Sequence, residues 1–282
     1  MIPVDQVTAP LADHGEGPVW SPENGGLLWV DMRAGDLLTL DPGSGAVRRR
    51  NVAGFLAAVR PRAGGGLVAA VRRGFALVEP DGSVRGLGAL WSDPAVRMND
   101  GGCDPDGRFY CGTLSAPGAP PGGLYRLDPG GGATRVLDGV RVSNGLGFSP
   151  DGRTCYHTDT AAGRIDALDY EGGELRGRRP FARIPASDGA PDGLAVDAEG
   201  GVWTALWGGG AVRRYAPDGV PDAVVAVPVR AATACAFGGP DLGDLYITTS
   251  RRGADPGEAG TAGAVFRCRP GVAGATAAPF RG

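Results

Sequence analysis

Lysine is absent from the chain, and all 28 basic residues are arginine. That excludes a P-loop lysine, a Schiff-base lysine and a Ser-Lys dyad. Histidine is nearly absent too: only His14 and His157 occur, and no HExxH motif can be formed. No GxSxG is present, so the nucleophile elbow of the α/β-hydrolases is also excluded. Cysteine numbers five (Cys103, Cys111, Cys155, Cys235 and Cys268), an odd count with no CxxC spacing. A disulfide framework and a zinc-thiolate site are therefore not expected, and small buried thiols in a reducing cytoplasm are. No apolar run approaches the ~18 residues of a membrane span. The opening Met1-Ile2-Pro3-Val4-Asp5 has neither a basic n-region nor an apolar h-region, so no signal peptide is expected. With 31 acidic residues against 28 basic ones, the charge balance of −3 offers no footprint for nucleic acid or an acidic membrane.

Glycine (51) and proline (24) are abundant, and they fall at regular intervals. A short apolar run, a Pro/Asp/Gly turn and a run containing an aromatic recur along the chain. Pro105-Asp106-Gly107 precedes Phe109-Tyr110-Cys111, and Pro150-Asp151-Gly152 precedes Cys155-Tyr156-His157. Pro22-Glu23-Asn24-Gly25 precedes Leu27-Leu28-Trp29, and Asp197-Ala198-Glu199-Gly200 precedes Val202-Trp203-Thr204. These are hairpins with tight turns, and most are followed by a third strand such as Leu124–Leu127. No helical periodicity extends over a long window.

The turns define a register. Six residues before each turn proline, or before Ala198 where the proline is missing, stand Glu16, Phe55, Asn99, Asn144, Asp192 and Ala234. Their spacings are 39, 44, 45, 48 and 42 residues. Six units of three or four strands predict an all-β fold, a six-bladed β-propeller occupying residues 1–282 as a single domain. A β-sandwich has shorter repeats. The first strand of each blade lines the channel of a propeller, so the six aligned positions should ring one axis. Four of them carry side-chain oxygens. Two carboxylates and two amides suit Ca²⁺, Mg²⁺, Mn²⁺ or a borderline ion such as Zn²⁺. Asn144-Gly145 and Asp192-Gly193 are also ordinary turn dipeptides. The turns, however, are already occupied by Asp81-Gly82, Asp106-Gly107, Asp151-Gly152 and Asp218-Gly219, and Asn144 and Asp192 lie at the other end of the strand, in register with Glu16.

The segments Glu16-Gly17-Pro18-Val19-Trp20, Arg97-Met98-Asn99-Asp100-Gly101, Ser143-Asn144-Gly145-Leu146 and Pro191-Asp192-Gly193-Leu194 resemble the SMP-30/gluconolactonase/regucalcin-like lactonases. Cys235–Pro240 and Leu245–Thr249 extend the resemblance over nearly the whole chain. It implies a six-bladed propeller that hydrolyses sugar lactones around one divalent metal. The family's metal ligands fall on Glu16, Asn144 and Asp192, with Asn99 close to the metal. Its substrate-contacting Arg-x-Asn falls on Arg97 and Asn99, and Asp192 takes the role of base. One departure stands out: the loop Ser115–Gly122 carries no acid where regucalcin-like members hold a substrate-binding Glu.

Alternation along a strand puts Arg97 and Asn99 on one face and turns Asp100 away from the channel, toward backbone donors between blades. His14 is expected in a surface loop, His157 in a structural strand position, and Trp207–Gly210 in a hairpin turn. The tail Gly271–Gly282 has little strand character, so the sixth blade lacks an outer strand, which residues near Pro3–Thr8 are expected to supply. The leading expectation is a cytoplasmic, metal-dependent lactonase acting on a small sugar lactone, with no nucleic-acid or membrane partner. The rivals are a phosphotriesterase-like hydrolase on the same scaffold and a non-catalytic metal-binding propeller.

Overall fold

A computed structural model of the chain describes residues 2–282. It contains six four-stranded antiparallel sheets. Their innermost strands are Gly15–Ser21, Leu56–Pro61, Val96–Cys103, Ser143–Phe148, Ala190–Val196 and Ala232–Gly238. These six pack against one another in a closed ring, which is the channel wall of a six-bladed propeller. The predicted turns lie at one end of the channel and the aligned oxygen-bearing positions at the other. In blades one to five the strands follow sequence order from the channel outward.

The burial pattern explains why these segments pair as they do. Inner and second strands are covered by neighbouring blades on both faces and read as nearly continuous apolar runs, such as Leu27–Val30 and Leu67–Ala70. Fourth strands such as Val47–Asn51 and Val84–Ala89 face solvent and carry arginine, glycine and single apolar residues. No helix among the described residues is long and apolar enough to cross a membrane. All five cysteines are free thiols.

The sixth blade is completed as expected. Asp5–Gln6 pairs with Val265–Cys268, with Asp5 opposite Arg267 and Gln6 opposite Phe266. The Val7 N–H adds a bond to the Val265 carbonyl at 2.9 Å, and Leu11 and Ala12 both donate to the Gly263 carbonyl. The tail also forms no regular strand, but it has a definite course. Gly274 donates to the Leu242 carbonyl and Ala275 to that of Val196, in blades six and five. Phe280 then donates to the Pro61 carbonyl and Arg281 to that of Gly107, in blades two and three. The tail therefore crosses the channel axis at the turn end and closes it. Phe280 is 1% exposed within the core cluster of blades one to three. Nothing in the sequence pattern indicates this crossing.

Candidate functional site

Every inner strand has a register irregularity at or beside its aligned position. The shifts fall between Glu16 and Val19, Leu56 and Ala58, Met98 and Gly101, Ser143 and Leu146, Pro191 and Leu194, and Ala232 and Ala234. A bulge sets an extra residue against the partner strand and re-aims its side chains. Close blade contact accompanies the bulges. A Cβ on Gly145 would sit 2.4 Å from the Leu194 nitrogen, and one on Gly193 would sit 2.8 Å from the Ala234 Cα. These two glycines are thus required by blade-to-blade approach, not by a hairpin turn. Ala234, the small residue at the sixth aligned position, leaves room for the fifth blade to come close.

The four oxygen-bearing residues predicted from the register are all buried. Glu16 Oε2 accepts the Gly17 N–H at 3.2 Å. The Asn144 amide nitrogen donates to Thr160 Oγ1 at 2.9 Å, and that hydroxyl donates onward to the Pro191 carbonyl at 2.7 Å. Because the Thr160 proton is committed to Pro191, its oxygen must accept from Asn144. This fixes the amide and leaves its oxygen free. Asn144 Oδ1 and Asp192 Oδ1 are both buried and accept no hydrogen bond from any described group. An unmet buried acceptor costs on the order of 1–3 kcal/mol, so the pair calls for a partner from outside the chain. Asn99 differs, because its oxygen accepts from Arg97 Nη1 at 2.7 Å and its nitrogen donates to the Ser143 carbonyl at 2.8 Å. The Arg97 and Asn99 side chains do meet, through that 2.7 Å bond, although Asn99 itself lies within the bulge.

The electrostatics favour a cation. Burial pushes the Glu16 carboxyl up to about 8, and the Asp100 charge adds to the rise. Burial raises Asp192 well above the usual carboxylate range, with Glu16 and Asp100 raising it further. Asp100 is buried, its nearest cation is Arg60 at 4.0 Å, and it stands at the inner-strand bulge, so simple alternation does not set its direction. The bulge between Met98 and Gly101 breaks that alternation. The expected backbone role is kept, since Asp100 Oδ1 accepts the Gly101 N–H at 2.7 Å.

His14 is likewise drawn into the site. It is half-buried, with Nε2 3.8 Å from Glu16 Oε1, Nδ1 2.9 Å from Ser250 Oγ, and its ring edge-on to Trp207 at 5.8 Å. Burial, helped by Arg97 and Arg252, lowers its pKa to about 4, so the imidazole is neutral at neutral pH and the contact with Glu16 is not an ion pair. Trp207 does end a strand at a hairpin turn, as expected, and its ring also walls the site. His157 is structural, fully buried with Nε2 2.7 Å from Ser143 Oγ. Thr160 went unforeseen because only its position after the second strand of blade four brings it to Asn144.

Glu16, Asn144 and Asp192 fit a divalent cation: two carboxylates in need of positive charge and one amide oxygen without a donor. Among the described residues no group of three or more His, Cys, Asp or Glu is placed to hold a metal. A set that takes its third oxygen from an amide lies outside such a grouping.

A six-bladed propeller with an acidic, amide-lined cluster at one channel mouth defines the class of the molecule. The chain belongs to the SMP-30/Gluconolactonase/LRE-like family, whose model matches residues 14–251. It is 40% identical to pentonolactonase XacC of Haloferax volcanii over 90% of this chain and 89% of that protein. It is 39% identical to a 6-deoxy-6-sulfogluconolactonase of Pseudomonas putida over 95% of both. Its fold superimposes on the solved calcium-binding protein regucalcin of Agrobacterium tumefaciens with a TM-score of 0.91 and 28% identity, covering 100% of this chain and 98% of that one.

Proposed function

We propose that this chain hydrolyses a small sugar lactone at the channel mouth, with one divalent cation held by Glu16, Asn144 and Asp192. The observation that carries the reading is the pair of orphaned buried acceptors, Asn144 Oδ1 and Asp192 Oδ1, beside the buried Glu16. Family membership and the two lactonase-named relatives support the reaction class. When bound, the cation supplies Lewis acidity at the scissile ester and keeps the neighbouring carboxylates ionised. Asp192 accepts a proton as water adds to the lactone carbonyl carbon. Arg97 and Asn99 orient the sugar hydroxyls and stabilise negative charge on the former carbonyl oxygen. The ring C–O bond then breaks, the ring oxygen takes a proton, and a hydroxy acid leaves. The five free thiols fit a reducing compartment, and the cytoplasm is the proposed location.

The test is acid release from a panel of aldonolactones, titrated against bound Ca²⁺, Mg²⁺, Mn²⁺ or Zn²⁺. Acid release that rises with occupancy is expected. Full occupancy without release above the spontaneous rate overturns the reading and favours a binding propeller.

A second expectation follows from the raised carboxyls. Glu16 titrates near 8 when folded and near 4.5 in its reference state. A raised folded pKa gives stability that is complete below the unfolded value and is lost as pH climbs through the folded one. Metal-stripped protein should therefore show a melting midpoint that falls between about pH 5 and pH 9. Metal-loaded protein should show a flatter profile, because ligation favours the ionised forms. Identical profiles for the two in a calorimetric pH series would argue against the cation site.

A further inference from the structure

On the reading above, the lactone has one end at the acidic cluster, and its other end points toward the surrounding turns. Two of these turns carry arginines in equivalent places. Arg33 follows the second strand of blade one, and Arg72 follows that of blade two. Both are exposed. Among the described residues neither guanidinium has a carboxylate within 4.0 Å. By contrast, three arginines at the opposite end of the channel, Arg108, Arg126 and Arg214, lie within 3.1 Å of Asp104, Asp128 and Asp197 respectively.

Arg72 and Arg97 share the Phe55 ring, with their guanidinium carbons 4.7 Å and 5.2 Å from its centroid. Phe55 stands at the aligned position of blade two, so both cations reach the channel mouth. Arg97 Nη1 lies 3.4 Å from the sulfur of Met32, which sets the turn carrying Arg33 beside Arg97. Beside them opens a cavity of about 390 Å³ that includes Phe55, Arg72, Arg73 and Phe75 in its wall. Arg73 is engaged by the Ser92 carbonyl at 2.8 Å, so Arg72 is the free cation of that wall. The nearby loop Ser115–Gly122 has no acid to neutralise the group. Exposed guanidiniums with no carboxylate within 4.0 Å leave their charge free for an incoming anion.

We propose that the preferred lactone carries an anionic group on the end remote from the ring ester, and that Arg33 and Arg72 bind it. A carboxylate, a phosphate and a sulfonate share the required chemistry: several oxygens and a full negative charge facing planar guanidinium forks. Arg97 remains with the reacting half of the sugar. Arg33 and Arg72 are thus specificity-determining residues.

The experiment compares kcat/KM for glucono-1,5-lactone, 6-phosphogluconolactone and glucaro-1,4-lactone on the metal-loaded full chain. A charged lactone should be favoured by about tenfold or more, the lower range of a hydrogen bond to a charged group. The preference should shrink as salt rises. Arg33→Gln and Arg72→Gln should each lower the charged-to-neutral ratio by about tenfold. Which charged lactone leads distinguishes a phosphate from a carboxylate. Calorimetric binding of 6-phosphogluconate and gluconate supplies a readout independent of turnover, and the same arginine-dependent preference is expected there. Equal treatment of neutral and charged ligands, or variants with an unaltered ratio, would overturn the proposal while the lactonase reading stands. If no lactone is opened, the lactonase reading fails, and the binding comparison still decides the role of the two arginines.

Discussion

Asp192→Asn, reloaded to full metal occupancy, is expected to lose most of its turnover, on the order of 10²–10⁴-fold in kcat. The substitution keeps the shape and one ligating oxygen but removes both the charge and the proton acceptor. Asp192 is 5% exposed, and its Oδ1 meets no donor from the chain, so that oxygen is open to a cation or to an attacking water. Turnover must be measured per bound metal. Loss of a ligand lowers occupancy, and activity then returns as metal is added. Loss of a base lowers the rate at full occupancy. Asn144→Asp provides the converse control, since it keeps an oxygen ligand and adds charge, so metal should bind with altered electrostatics. Wild-type turnover by fully loaded Asp192→Asn would remove Asp192 from the role of base and leave it a ligand.

Removal of residues 1–10 should lower the melting midpoint by about 10 °C, the equivalent of roughly 4 kcal/mol in a domain of this size. The deleted stretch holds the outer strand Asp5–Gln6 and the bond from Val7 to Val265. Ile2 and Val4 pack against the core shared by blades five and six, and Val7 against that of blades one and six. Each is partly buried, so about 1 kcal/mol apiece is expected, half or less of the value for full burial. Thr8 adds a buried acceptor for the Val265 N–H at 2.9 Å. Without these residues, Val265–Cys268 becomes an open edge. An unchanged midpoint in a thermal melt would show that the strand does not close the propeller.

The blade register was legible in the sequence because it is written locally. Pro-Asp-Gly turns fix hairpins over a few residues, and the period of the turns fixes the blade number. Counting back from each turn reached Glu16, Asn99, Asn144 and Asp192, since strand length is conserved from blade to blade within this chain. The pairing of Asp5–Gln6 with the last blade could be read from a missing strand, which is also a counting argument.

What the sequence by itself determined is therefore the repeat, the all-β architecture and the depth at which each candidate ligand sits. The tertiary structure decided where the neighbouring side chains point. Bulges in the inner strands break the two-residue alternation, so the directions of Asn99 and Asp100 follow from the bulge between Met98 and Gly101 and not from counting. His14 and Trp207 meet although they lie in blades one and five. Thr160 holds Asn144 only because a turn of blade four folds back over its own inner strand, and the tail closes the channel by bonding to four blades. Each of these arrangements depends on contacts between segments far apart in the chain, where the geometry comes from the closure of the ring and leaves no periodic trace in the residues.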